Sequence, residues 1–179
     1  AKEAINLGVS KTYETKENVT TKINNIQIGG RNLFKGYDES EITLNTYQNT
    51  GSFTQFYDCL TFNPADYVGK EFTISFYAKS PNGTTKLQVY NSNGNPRYFR
   101  FHTTLDNSLG NAWKYYTYTF TNTDNGSSGT SIQNRIEIYA ENKKGVLVKK
   151  IKIELGNKAT DWTVAPEDVQ SEISTIQSE

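Results

Sequence analysis

Residues 150–169, KIKIELGNKATDWTVAPEDV, decide how this chain is read. Ile151, Ile153 and Leu155 alternate with Lys150, Lys152 and Glu154, the period of two that marks a strand with one buried and one solvated face. Gly156-Asn157 closes that strand. Pro166, followed by Glu167 and Asp168, opens a helix, because proline suits the first turn and carboxylates suit its positive end. The stretch reads as the last strand of a β domain, with Trp162 plugging the end of the domain before the chain leaves as a helix.

Upstream, the same alternation recurs. FTISFYAK (72–79) sets Phe72, Ile74, Phe76 and Ala78 against Thr73, Ser75, Tyr77 and Lys79. KLQVYN (86–91) buries Leu87 and Val89. RYFRFHTT (97–104) turns Phe99 and Phe101 inward and Tyr98, Arg100 and His102 outward. WKYYTYTFT (113–121) sets Tyr116, Tyr118 and Phe120 against Tyr115, Thr117 and Thr119. NRIEIYAE (134–141) opposes Ile136 and Ile138 to Arg135, Glu137 and Tyr139. Turns such as SPNGTT (80–85) and SNGNP (92–96) separate these runs, and no helical periodicity intervenes. Short strands of this kind predict a mainly β, two-sheet antiparallel β-sandwich rather than an α/β fold.

The ends differ. Ile5, Val9, Thr12, Lys16, Val19, Ile23 and Ile26 follow one another at spacings of 4, 3, 4, 3, 4 and 3, a heptad seam diluted by Thr12 and Lys16. Val169, Ile173 and Ile176 repeat the theme. The predicted organisation is a helical stalk over 1–27, a β domain over 28–165 and a C-terminal helix over 166–179. A single amphipathic helix packed on its own domain is the competing reading of the first segment.

Composition bounds the chemistry. The 179 residues carry 19 basic and 19 acidic side chains, so no net field recruits nucleic acid or an anionic membrane. Aromatic residues reach 13%, with 12 Tyr, 9 Phe and 2 Trp. One cysteine, Cys59, excludes an internal disulfide and reads as a small buried hydrophobe. No apolar run is long enough to span a bilayer, no signal-peptide pattern opens the chain, and the absence of methionine reads as an excised segment. His102 and Cys59 lack partners at zinc-ligand spacing. Asp38, Glu39 and Glu41 in KGYDESE (35–41) are hard oxygen ligands, but they lack the regular pattern of a calcium loop and read as a solvated turn. No nucleophile–base motif is present, so no catalytic residue, cofactor or metal is expected beyond a structural calcium.

GGRNLF (29–34), FTISFYAKS (72–80), WKYYTYTFT (113–121) and KIKIELGNKATDWTVAPED (150–168) occur in this order. Together they resemble the jelly-roll carbohydrate-binding modules of tail and baseplate proteins from phages and prophages of Gram-positive bacteria. The segment leading into NNIQIGGRNLF resembles the helical linkers of those proteins. The resemblance implies a jelly roll displayed as a homo-oligomer on a trimeric or hexameric tail component of the virion, a trimer above all, beside other tail proteins, adhering to host cell-wall saccharide.

Sugar recognition needs flat aromatic surfaces beside planar polar groups. Outward Tyr77, Tyr90, Tyr98, Arg100, His102, Arg135 and Tyr139, with Glu137, supply that mixture and are the expected ligand-binding residues. Tyr47, Phe53, Phe56 and Tyr57 of the 45–58 loop are candidates for a groove rim, with Phe53 and Phe56 equally suited to the core. Trp113 and Trp162 are expected to pack rather than to bind. The rival to a binding module is a spacer domain without a ligand.

Overall fold

The computed structural model describes residues 15–16, 30–129 and 134–178. Among them the strands are β1 (Ile42–Thr43), β2 (Thr46–Tyr47), β3 (Gly51–Tyr57), β4 (Glu71–Lys79), β5 (Thr85–Asn91), β6 (Phe101–Leu109), β7 (Lys114–Thr121), β8 (Arg135–Ala140) and β9 (Leu147–Leu155). They form two antiparallel sheets: a four-stranded sheet in the order β1-β9-β4-β7, and a five-stranded sheet in the order β2-β3-β8-β5-β6. The protein is a β-sandwich. The helix α1 (Pro166–Ser178) follows, beginning at the proline as expected. The heptad predicted over 1–27 lies outside the described residues, apart from Lys16.

Alternation places the core as read. Phe72, Ile74, Phe76 and Ala78 of β4 face Leu87, Val89, Ile136 and Ile138 of the other sheet within one buried cluster. Phe62, Phe72, Phe99 and Phe120 pack at one end with ring centroids 4.9–5.5 Å apart in their closest pairs, in stacked and edge-on geometries. Cys59 is fully buried, and desolvation pushes its thiol up to about 12. The 45–58 segment is not a loop. Gln48 and Asn49 sit at φ 50° and 65°, the sign a type I′ hairpin turn requires, and they join β2 to β3. Phe56 is core, while Phe53 faces outward.

Two expectations are corrected. The run 97–104 is not one alternating strand. Phe99 adopts φ 56°, its N–H donates to Asn122 Oδ1 at 2.7 Å, and its carbonyl accepts from Asn91 Nδ2 at 3.0 Å. Side-chain amides replace the ladder there, so Phe99 and Phe101 both reach the core, but Tyr98 and Arg100 precede β6 in a loop.

The second correction concerns β9. Lys152 and Glu154 point away from the core as read, yet they are 1% and 0% exposed. The segment 157–162 folds back over them. Lys152 Nζ donates to Thr160 Oγ1 at 2.8 Å and to the Asp161 carbonyl at 2.7 Å, and Glu154 accepts from the Thr160 N–H at 3.1 Å and hydroxyl at 2.6 Å. Trp162 rides on this same outer side. Its indole N–H donates to the Ile151 carbonyl at 3.1 Å, and it borders Ser75, Tyr77 and Tyr115 on the outer face of the four-stranded sheet rather than plugging an end.

Asn32, from the GGRNLF stretch, ties the ends of the domain together. Its Nδ2 donates to the Ile151 and Thr163 carbonyls at 3.2 and 2.9 Å, and its Oδ1 accepts from the Phe34 and Ile153 N–H groups at 2.9 and 3.2 Å. Arg31 pairs with Glu167, and the Gly36 N–H donates to Asp168, so the acidic first turn of α1 docks on the same segment.

Candidate functional site

The outward face of the five-stranded sheet collects aromatic and planar polar side chains. Register builds it in rungs, because directly paired residues of an antiparallel ladder share a face. One rung runs Gln55, Glu137, Tyr90, His102 across β3, β8, β5 and β6. The next runs Phe53, Tyr139, Gln88, Thr104. Tyr57 stands opposite Arg135. Tyr47 adds a ring from β2, 5.2 Å from Phe53 and 5.9 Å from Tyr139.

Glu137 is the electrostatic centre. It is fully buried, and desolvation raises its carboxyl pKa although neighbouring groups pull it down. Asn93 Nδ2 donates to Oε2 at 2.6 Å and Gln55 Nε2 to Oε1 at 3.4 Å. Arg135 Nε stands 2.8 Å from Oε1, close enough for charge attraction but outside hydrogen-bond alignment, while Nη2 donates to the Asn93 carbonyl at 3.0 Å. The Tyr57 hydroxyl donates to Gln55 Oε1 at 2.6 Å, and the Arg135 guanidinium lies 5.6 Å from the Tyr57 ring. Fixed amides and a guanidinium therefore surround one carboxylate, with rings on either side.

The rings are not equivalent. Tyr90 is enclosed between Phe53 (6.3 Å, 15°) and His102 (4.5 Å, 10°), both near-parallel to it. Burial, with Glu137 nearby, pushes its hydroxyl up to about 12. Its faces are covered, so it acts as a wall that holds the other rings. Tyr57 is 57% exposed and Tyr47 38%; together with half-buried Tyr139 and exposed His102 they offer the accessible ring surface.

Of the expected ligand-binding residues, the structure brings Tyr90, His102, Arg135 and Tyr139 onto this face. Tyr77 belongs to β4 and lies on the other sheet. Tyr98 is half-buried beneath the Arg97 guanidinium, 5.3 Å from its ring centre. Arg100 is exposed beside a depression of about 580 Å³ that also involves Ser92, His102 and Asn125, at the β6 end of the face. The sequence reading left Gln55 and Asn93 out and held Phe53 and Tyr57 only as rim candidates. The alternation of Phe53, Gln55 and Tyr57 is the signal in the sequence that points to them.

Asp38 is exposed, and its carboxyl is held below the usual range mainly by the Ser40 backbone N–H that it caps at 2.8 Å. Among the described residues no three His, Cys, Asp or Glu side chains converge as a metal cluster. Glu137 is the one carboxylate among the outward strand positions in the rungs above.

No family model and no curated protein matches the chain. Among solved structures it is similar to a carbohydrate-binding module of family CBM4, at 17% identity over 59% of each chain with a TM-score of 0.34. It is similar to the tripod from the baseplate of bacteriophage Tuc2009, at 17% identity over 77% of this chain and 59% of that one, with a TM-score of 0.47. It is also similar to the carbohydrate-binding module of Cellvibrio mixtus lichenase 5A in complex with cellotriose, at 15% identity over 62% of this chain and 73% of that one, with a TM-score of 0.35. The chain thus spans 59% of the first two. At these scores the likenesses assign neither a ligand nor a residue role to this chain.

Proposed function

We propose that the outward face of the five-stranded sheet binds a saccharide without catalysis or cofactor, and that the sandwich is a jelly-roll adhesion module of a phage or prophage tail or baseplate protein acting on host cell-wall polysaccharide. The observation that carries the binding reading is the convergence of Tyr47, Tyr57, His102 and Tyr139 around the Glu137–Arg135–Asn93–Gln55 network. Pyranose C–H faces stack on rings, and amide and guanidinium groups, held in place here by the buried Glu137, match hydroxyl pairs. The tail setting rests on the four sequence stretches noted above and on the exposed helix stripe.

The test is retention of the full chain on purified wall polysaccharide and on a glycan array. Tyr57→Ala and Tyr139→Ala should each weaken binding about 5-fold, on the scale of ~1 kcal/mol for one aromatic contact. Tyr98→Ala should leave it unchanged. Multivalent display would amplify the losses in whole-cell adhesion. If no glycan is retained, or if both ring variants bind like the parent, the domain is a spacer.

We extend the proposal to assembly, through the heptad read over 1–27 together with α1. Val169, Ile173 and Ile176 are 38%, 41% and 70% exposed, an apolar stripe open to solvent. A homo-oligomer, a trimer by preference, is expected by light scattering, falling to monomer when residues 1–27 are removed. A monomer at high concentration with its helices folded would refute that assembly.

A further inference from the structure

The opposite side of the sandwich carries a second cluster that the proposed saccharide face does not use. Tyr77 of β4 and Tyr115 of β7 are ladder partners on the outward face of the four-stranded sheet, with ring centroids 4.8 Å apart and Tyr115 43% exposed. Lysines gather on these rings. Lys149 Nζ lies 4.2 Å from the Trp113 ring centre and 5.8 Å from that of Tyr77, Lys150 Nζ 5.9 Å from Tyr77, and Lys79 Nζ 4.8 Å from Trp113.

Simple alternation would send Lys149 and Lys150 to opposite faces. The register of β9 against β4 slips between Ser75 and Tyr77, and Lys150 takes φ 55°. An irregularity of this kind re-aims side chains, and a lysine in the left-handed region is held there only by its surroundings. Val148 and Ile151 consequently both stay in the core while both lysines reach the Tyr77 ring.

Opposite charges paired across strands stabilise a solvated sheet face. Here Lys79, Lys149 and Lys150 have no carboxylate within 4.0 Å among the described residues, and lie over rings instead. Beside them opens a depression of about 430 Å³, bounded by Tyr77, Tyr115, Lys150 and Trp162, with Glu39 and Asp161 also lining it. That volume is within the range of small-ligand sites.

We propose that this face is a second binding site, for a saccharide that carries an anionic group, either a carboxylate or a phosphodiester. Tyr115 and Trp162 supply stacking surface, Lys79, Lys149 and Lys150 swing from the rings onto the anion, and Glu39 and Asp161 accept from sugar hydroxyls. An ammonium over a ring keeps a mobile stem, so it can be transferred to a charged ligand without disturbing the fold.

Both tryptophans of the chain stand on this side, so indole fluorescence reports on it and not on the tyrosine-lined face. The full chain is titrated with an oligogalacturonate, with a glycerol phosphate oligomer, and with a neutral malto-oligosaccharide. At least one anionic probe should change the indole emission with an affinity that falls as salt is raised, while the neutral probe does not; which one acts distinguishes carboxylate from phosphodiester. Lys149→Glu should weaken that binding at least tenfold, and Lys70→Glu, an exposed charge change before β4, should not. Lys79→Glu provides the same comparison should the first variant fail to fold. Neither anionic probe binding at millimolar concentration, or Lys149→Glu and Lys79→Glu binding like the parent, would overturn the proposal, whatever the outcome at the other face.

Discussion

Glu154→Leu is expected to destabilise the protein by about 3–5 kcal/mol, the usual cost of removing one partner from a buried charge pair. Lys152 would keep its ammonium in a site 1% exposed, with the Thr160 hydroxyl and Asp161 carbonyl as its remaining contacts. The Thr160 N–H and hydroxyl would also lose their acceptor. Urea denaturation measures the loss. The double variant Lys152→Met/Glu154→Leu should recover most of it, because a packed apolar pair needs no desolvation of charge. Burial already holds the Lys152 ammonium below its ordinary value of 10.5, with Glu154 opposing that shift. Without Glu154 the depression deepens. The unfolded chain then binds the proton more tightly than the folded one, so the stability of the single variant should rise with pH between its folded pKa and 10.5. A cost under about 1 kcal/mol would mean that the 157–162 cover opens readily and lets water reach the pair.

Asn32→Leu is expected to be of similar size. Four backbone groups bond to that amide, two carbonyls and two N–H groups, and of these the Ile151 carbonyl also accepts from the Trp162 indole. At about 1–3 kcal/mol for each buried group left unpaired, even two of them bring the loss to roughly 2–6 kcal/mol. Against a typical total stability of about 5–15 kcal/mol, much of the population could unfold. Asn32→Asp separates hydrogen bonding from shape. It is nearly isosteric and keeps an acceptor for Phe34 and Ile153, but it turns a carboxylate oxygen toward the Ile151 and Thr163 carbonyls. Thermal melting should therefore show Asp to be damaging as well; a melting curve like the parent's would assign the role of Asn32 to packing.

Strand faces were legible from the sequence because side-chain direction along a strand is a local property with a period of two. Phe72 to Ala78, Ile136 and Ile138, Leu87 and Val89, and Tyr116 and Phe120 are all buried on the side that alternation assigned. The helix start at Pro166 was equally local. Where the backbone leaves the period at Phe99, whose positive φ is held by Asn122 and Asn91, the reading failed; Lys150 still faces outward as read, but an irregular register there brings Lys149 to the same side.

Outward was not the same as exposed. Nothing in the alternation of Lys152 and Glu154 announces that residues 157–162 return to cover them, since that contact depends on a loop folding back rather than on strand geometry. Which outward faces become neighbours was likewise beyond the local pattern. Arg135 and Tyr139 meet Tyr90 and His102 because β8 lies between β3 and β5 in space, while β8 follows β7 in the chain. Tyr77, identical in type and alternation, went to the other sheet for the same reason. The sequence by itself determined which side of each strand is apolar and where the helix begins. Only the tertiary structure decided the company each outward residue keeps, because strand order comes from burying all the apolar sides at once, a global condition that no single segment encodes.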